Sequence, residues 1–266
     1  MLTSFTHRYY LKLLESFKTL GYHTCTIKEF FTSNREGKIL IIRHDVDSWA
    51  KQAIRMAKLE YDNNINSTYY FRANTSGKFD EKTIKLIYSY NHEVGYHYET
   101  LSTCKGNIKE ALRLFKINLD NFRKIAPCYT ISMHGSPMSK YNNLDLFKNV
   151  SLKEYGLIAD ASLNFENIDV IYFTDTGGRW NSNSTLNIRD RIISKRPFYN
   201  VNLRFGSKEF FEYLKNENII IYINVHPERW AHNFPTLIIC KIKDFLTNTL
   251  KRGIKLAKPF IYRQSI

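Results

Sequence analysis

Short apolar segments alternate with stretches of helical periodicity along almost the whole chain, and this order constrains the fold more than any other feature. Helical patterns begin at about residue 5 and end at about residue 252. Strands that alternate with helices in this way build a mainly parallel sheet. The sequence therefore predicts one α/β domain over residues 1–266, with strands at 38–44, 67–72, 94–98, 129–133, 157–161, 169–173 and 219–225.

Ionisable side chains follow five of these predicted strands. In a parallel α/β fold the carboxyl ends of the strands meet at one face, and that face carries the active site. One histidine after a strand means little, but repetition after five strands indicates that these side chains converge. The residues concerned are Asp45 and Asp47, His97, His134, Asp175 and His226.

Asp45 and Asp47 are the most informative of these residues. They are two positions apart, so the alternation of a strand places both on one face. Two carboxylates side by side are costly unless a divalent cation offsets their repulsion, and one can then bind the metal while the other takes a proton. Two other interpretations stay open. The pair could cap the following helix, which Ser48 can also begin, or it could pair with Arg43.

Aspartate and histidine form a common ligand set for zinc and related ions. Such a site can hydrolyse an amide when a carboxylate acts as base and a separate histidine protonates the leaving amine. Asp45 is the predicted base, Asp47 and His97 are predicted ligands, and His226 is the predicted acid. The alternatives are a core position for His97, a tight turn at His134-Gly135-Ser136-Pro137 and a structural place for His226 before Pro227.

Four segments in a fixed order carry a family resemblance. They are Arg-His-Asp-Val-Asp at 43–47, Ser-Thr-Tyr-Tyr-Phe at 67–71, His-Glu-Val-Gly-Tyr-His at 92–97 and Asn-Val-His-Pro at 224–227. Together they resemble the polysaccharide deacetylases of the NodB-homology type, carbohydrate esterase family 4 (CE4), over about residues 38–230. The resemblance implies a distorted (β/α)7-type barrel. It also implies hydrolysis of an N-acetyl or N-formyl group on an amino sugar. The expected cofactor is a divalent metal, with Zn²⁺ as the leading candidate.

The chain departs from the family at one metal ligand. The family has a second metal histidine four residues after the first, and here that position is Leu101, which cannot bind a metal. We hypothesise that His134 supplies the missing ligand from the next strand. His134→Ala should then change metal content and activity.

Two further segments resemble motifs at the rim of a sugar site. They lie at 174–180 and 227–230 and offer arginine for an anionic or hydroxyl-rich group and tryptophan for stacking on a sugar face. Packing within loops is the alternative. The substrate-binding residues predicted from them are Asp175, Arg179, Trp180, Arg229 and Trp230.

The net charge is +14, with lysines spread over the whole chain. A solvated basic surface explains this better than a dedicated anionic partner, and nucleic-acid binding would rest on charge alone, so no nucleic acid is expected. The four cysteines form no CxxC pair, which argues against a zinc ribbon or redox motif. We see no signal peptide and no span of about 20 apolar residues. The expected location is cytoplasmic, with membrane contact at most peripheral.

These observations lead to two functional hypotheses. The first is a metal-dependent hydrolase acting on an N-acyl amino sugar. A cytoplasmic enzyme cannot reach mature cell-wall glycan, so a phosphate-bearing nucleotide- or lipid-linked precursor of a surface glycan is the expected carbohydrate substrate. The second, motivated by Leu101, is a non-catalytic relative with a degraded metal site that binds a glycan or a partner.

Overall fold

The computed structural model describes residues 5–33, 36–180, 190, 192–195 and 204–263, with the backbone alone for 250–263. The strands are β1 (His23–Cys25), β2 (Ile39–Val46), β3 (Thr68–Phe71), β4 (Glu93–Tyr98), β5 (Thr130–Met133), β6 (Ala159–Asp160), β7 (Val170–Thr174) and β8 (Ile220–Val225). The helices are α1 (His7–Thr19), α2 (Ile27–Thr32), α3 (Ala50–Asp62), α4 (Glu81–Ser89), α5 (Thr100–Thr103), α6 (Ile108–Arg123), α7 (Lys208–Lys215) and α8 (Phe234–Arg263). Short 3₁₀ helices lie at Asn143–Phe147, Leu152–Tyr155 and Pro227–Arg229. None of the described helices is long and apolar enough to span a membrane.

The strands form one parallel sheet in the order β6-β5-β4-β3-β2-β8-β7, with β1 paired to the first half of β2. Side chains meet across the concave face of this sheet. The Tyr222 hydroxyl on β8 donates a 2.9 Å hydrogen bond to the carbonyl of Ala161, just after β6, and the Phe165 ring lies 4.9 Å from that of Tyr222. Strands distant in the sheet order are thus close in space, so the sheet is curled into an incomplete barrel. The predicted distorted barrel of mainly parallel strands is confirmed.

The seven predicted strands are present, each within a few residues of its expected bounds. Three short elements, β1, α2 and α5, have no counterpart in the prediction, because three, six and four residues are too few to show a periodicity. The expectation that Ser48 caps α3 is wrong. Trp49 holds the cap position in a left-handed conformation (φ 52°), and the Ser48 hydroxyl accepts a hydrogen bond from Lys243 instead.

A buried carboxylate fixes α3 against the back of the sheet. Because His44 lies between Arg43 and Asp45 on β2, its side chain points away from the concave face, towards α3. There Glu60 accepts hydrogen bonds from His44 Nε2 at 2.9 Å, from Ser67 and Tyr69 at 2.7 Å, and from Tyr10. Four donors satisfy one fully buried carboxylate, which makes the position of β2 well determined.

Candidate active site

A cavity of about 360 Å³ opens at the carboxyl ends of β2, β4, β5 and β8. This is a usual size for a small-ligand site. The five residues predicted as catalytic or metal-binding all line it: Asp45, Asp47, His97, His134 and His226. Residues dispersed over about 180 positions of sequence therefore meet at one place, as the strand-end argument predicts.

Asp45 is held as a carboxylate by its own strand and the neighbouring one. Arg43, two residues earlier on the same face, donates from Nε at 2.8 Å and from Nη2 at 2.7 Å, and Asn224 donates at 3.0 Å. Burial alone would raise the pKa of Asp45, but the Arg43 guanidinium and the nearby His97 lower it to about 2. The Arg43 pairing that the sequence left open is thus present, and it leaves Asp45 in the cavity.

Asp47 faces two imidazoles. Its Oδ1 atom is buried and has no hydrogen-bond partner among the described residues. His97 Nε2 lies 3.6 Å from this oxygen and His134 Nε2 lies 3.7 Å from it. Both separations are too long for good hydrogen bonds. A buried carboxylate oxygen that accepts nothing is a feature that calls for an explanation.

The other ring nitrogens supply part of that explanation. His97 Nδ1 lies 3.1 Å from the carbonyl oxygen of Ser132, and His134 Nδ1 lies 2.8 Å from Glu99 Oε2. Both partners only accept, so each Nδ1 carries a proton. Burial lowers the pKa of His97 to about 4, which keeps that ring neutral. Its Nε2 therefore presents a lone pair towards Asp47, and partners on Nδ1 of this kind typically orient a metal-binding histidine.

The types of donor atom suit a small divalent cation, and their separations from Asp47 are slightly longer than metal ligands require. Two ligands of a tetrahedral zinc with bonds of about 2.0–2.1 Å lie about 3.3 Å apart. In the described part of the chain no three side chains already stand at full metal-binding geometry. Closing the 3.6 and 3.7 Å separations by a few tenths of an ångström would give Asp47 ligand spacing to both imidazoles. The carboxylate and imidazole chemistry suits Zn²⁺.

His226 stands on the other side of the cavity, tied to a buried acid. Its Nδ1 lies 2.6 Å from Asp175 Oδ1, and its backbone N–H donates to Asp175 Oδ2 at 3.0 Å. Burial would lower the pKa of His226, but the Asp175 carboxylate raises it to about 10. The imidazole is therefore protonated at neutral pH, the state that a general acid requires.

The predicted substrate contacts need correction. Trp230 is fully buried among Phe5, Tyr10 and Trp180, so the prediction that it stacks on a sugar is wrong. Its indole N–H donates to Asp175 Oδ2 at 2.8 Å. Asp175 is fully buried behind His226 and positions that ring, so it does not contact a substrate.

Of the remaining three predicted rim residues, Trp180 and Arg179 lie outside the cavity lining and Arg229 is part of it. Trp180 packs against Phe205 with ring centroids 4.5 Å apart and does not line the cavity. Arg179 is exposed and lies outside the described cavity lining. Of the two predicted arginines, only Arg229 lines the cavity, where it pairs with Asp244.

Glu228 is a cavity residue that the sequence prediction missed. It is 6% exposed, lines the cavity, and its Oε2 has no hydrogen-bond partner within the described ranges. Burial and the Asp47 carboxylate raise its pKa to about 7. The only signal for it in the sequence is an acid two residues after His226.

Comparison with known proteins gives structural matches alone. No family profile and no curated protein matches the sequence. A CE4 family pseudoenzyme from Bacillus anthracis matches at 11% identity and a TM-score of 0.36, over 80% of this chain and 62% of that one. A mutant of it with restored enzymatic activity matches at 10% identity and the same TM-score, over 82% and 64% of the two chains.

The peptidoglycan deacetylase PdaC from Bacillus subtilis matches at 14% identity and a TM-score of 0.36, over 83% of this chain and 98% of that one. This chain spans less than two thirds of the length of the two Bacillus anthracis structures. At identities of 10–14% and TM-scores of 0.36, these matches leave the family, the reaction and the substrate open.

Proposed function

We propose that this chain is a divergent CE4-type hydrolase that removes an N-acetyl or N-formyl group from an amino sugar with the help of a divalent metal. One observation carries the proposal. The Oδ1 atom of Asp47, which has no hydrogen-bond partner in the described part of the chain, faces the Nε2 atoms of His97 and His134, and Asp45 and His226 line the same cavity. A cation-binding set, a base and an acid in one cavity are the parts that amide hydrolysis needs.

Asp47, His97 and His134 would hold the metal. When bound, Zn²⁺ supplies Lewis-acid chemistry, polarising a carbonyl and making water more acidic. Leu101 has no part in this set, because it is 4% exposed and packs in the apolar core. His134, hydrogen-bonded to Glu99, takes the place of the family histidine that the chain lacks.

Asp45 would accept the proton of the attacking water. Arg43 and Asn224 orient its two oxygens, and the Arg43 guanidinium keeps it ionised at neutral pH. Across the cavity His226, charged through Asp175, would give a proton to the leaving nitrogen. The neighbours of Asp45 and His226 thus shift their pKa values in opposite directions. This arrangement is typical of enzymes that use a general base and a general acid at the same pH.

The expected substrate is a phosphate-bearing precursor of a surface glycan, linked to a nucleotide or a lipid. Among the cavity-lining cations, Lys243 and Arg229 are the candidate contacts for the anionic group, and Arg229 also pairs with Asp244. A cytoplasmic location, expected from the sequence, would give access to such precursors.

Metal analysis and product release test the proposal together. Purified protein dialysed against Zn²⁺ is expected to retain one equivalent and to release acetate or formate from N-acylated amino sugars linked to a nucleotide or a polyprenyl phosphate. His134→Ala is expected to lose most of both, and His232→Ala, which removes an exposed imidazole outside the cavity, is expected to lose neither. Unchanged metal content in His134→Ala would refute the role of His134.

The second candidate is glycan binding without turnover, and Leu101 is the feature that favours it. A binding protein of this kind would hold a sugar in the cavity and release no acyl group with any of several divalent metals. Calorimetric titration with the same sugars, beside the acyl-release assay, separates the two functions.

A further inference from the structure

Helix α8 carries an exposed apolar surface on its first sixteen residues. Six large apolar side chains between 234 and 246 are 43% to 70% exposed. They are six of the sixteen exposed large apolar side chains in the described part of the chain, so the exposure is concentrated on one helix. Scattered single apolar residues need no explanation, whereas a contiguous patch marks an interaction site. We call these six the apolar stripe: Phe234, Ile238, Ile239, Ile242, Phe245 and Leu246.

Helical geometry shows how the stripe is bounded. At about 100° per residue, its six members fall within an arc of about 140°. Lys241 and Lys243 fall just outside the two edges of that arc, and Leu237 and Cys240 are buried against the rest of the fold. The helix therefore has an apolar outer face with a cation along each edge.

Both edge lysines are tied to aromatic rings of the body. Lys241 Nζ lies 4.7 Å from the centroid of Phe5, and Lys243 Nζ lies 4.9 Å from that of Trp49 while donating to Ser48. The one acidic residue between 234 and 249, Asp244, faces the body and pairs with Arg229. Among the described side chains of α8, Asp244 is thus the one acid, and it interacts more strongly with Arg229 than with Lys241.

We propose that α8 docks the protein on an anionic membrane surface, with the apolar stripe at the boundary between headgroups and acyl chains. An apolar face flanked by lysines is the pattern of helices that lie in that boundary. Each lysine near an anionic leaflet adds attraction. A second copy of the chain fits less well, because two such faces would bring like-charged edges together on partners that each carry +14.

The inner side of the same helix lines the candidate active site. Cys240, Lys243, Asp244 and Thr247 all contribute to the cavity wall. Trp49 is 41% exposed beside Lys243 and directly follows Ser48, which lines the cavity. A docked helix would therefore hold the cavity beside the membrane surface. Delivery of a lipid-linked substrate this way rests on the proposed function, whereas the docking itself does not.

Co-sedimentation of the full chain with vesicles tests the docking. The probe is vesicles of phosphatidylcholine and phosphatidylglycerol in equal amounts, compared with pure phosphatidylcholine. The wild type is expected to sediment with the anionic vesicles, and added salt is expected to weaken the binding. Ile242→Ser/Phe245→Ser is expected to bind at least about tenfold more weakly, and Lys241→Gln about fivefold more weakly.

A matched control removes the same chemistry elsewhere. Ile108→Ser/Ile117→Ser on α6 changes two side chains that are 52% and 41% exposed, and its binding should stay within about twofold of wild type. Circular dichroism confirms that each variant is folded. Failure of the wild type to sediment, or equal loss in both double variants, would overturn the proposal. So would a dimer in sedimentation velocity that only the stripe variant dissociates. None of these readouts needs metal or turnover, so the docking proposal can be refuted whether or not the proposed function is correct.

Discussion

The ion pair of Asp175 and His226 allows the most direct test of the candidate site, because the titration of the His226 imidazole reports the effect of the Asp175 charge. Asp175 is fully buried and accepts from the His226 side chain, the His226 backbone and the Trp230 indole. Asp175→Asn keeps the shape of the side chain and removes its charge. The imidazolium of His226 then loses the carboxylate that stabilises it.

The size of this stabilisation follows from the pKa of His226, which is raised from 6.5 to about 10. A displacement of this size corresponds to about 5 kcal/mol in favour of the charged ring. Burial acts in the opposite direction and remains in the variant. The pKa of His226 is therefore expected to fall to about 6.5 or below in Asp175→Asn.

The sign of the stability change is fixed by the same shift. A histidine whose pKa is raised by folding stabilises the fold below its unfolded value and loses that stabilisation as the pH rises through the folded value. The wild type therefore gains from the pair below about pH 6.5 and loses the gain towards about pH 10. The difference in unfolding free energy between wild type and Asp175→Asn should shrink across that window.

Nuclear magnetic resonance of protein with ¹⁵N-labelled histidine follows each imidazole without any substrate. Trp230→Phe is the matched control, since it removes a donor to Asp175 and leaves the carboxylate, so His226 should still titrate near 10. If the proposed function also holds, the alkaline limb of kcat/KM should move down by at least about 3.5 pH units in Asp175→Asn. An alkaline titration of His226 that survives in Asp175→Asn would refute the assignment of its charge to that carboxylate.

Three further predictions concern single side chains. Glu60→Gln should lower the free energy of unfolding in urea by about 3 kcal/mol, because an amide cannot accept from all four buried donors. Glu228→Gln should stabilise the metal-free protein by up to about 3 kcal/mol at about pH 8 and not at about pH 4, since the raised pKa of this acid costs stability as the pH rises from 4.5 through about 7. In competition with a chelator, His134→Ala should bind Zn²⁺ at least about tenfold more weakly and Leu101→Ala should match the wild type.

The sequence predicted the fold well because its evidence is local. Apolar strands of four to eight residues and amphipathic helices leave their period in the chain, and the parallel order then brings strand ends together. Three-residue β1 has no period to detect. The left-handed Trp49 could not be foreseen either, because the Lys243 contact that occupies Ser48 comes from a helix almost 200 positions later.

The rim residues show where the same reasoning ends. A tryptophan after a strand is equally compatible with a sugar platform and with a core, and burial decides between them. Trp230 is enclosed because Phe5 and the helix α1 residue Tyr10 cover it, a contact between opposite ends of the chain. Its function is consequently indirect, through the indole bond to Asp175. Glu228 was missed because it lies in the turn after β8, where the sequence has no periodicity that predicts the direction of a side chain.

The register of β4 and β5 accounts for the position of His134. His97 on β4 pairs with Ser132 on β5. His134 is two residues beyond Ser132 and therefore emerges on the same face, one step further towards the cavity. The ladder continues past β5 to hold it there, since the His134 backbone N–H donates to the Tyr98 carbonyl at 2.7 Å. Leu101, in contrast, belongs to α5, and its side chain packs in the apolar core. Sheet pairing thus fixes the imidazole of His134 near Asp47, and the proposed metal site would need no ligand from α5.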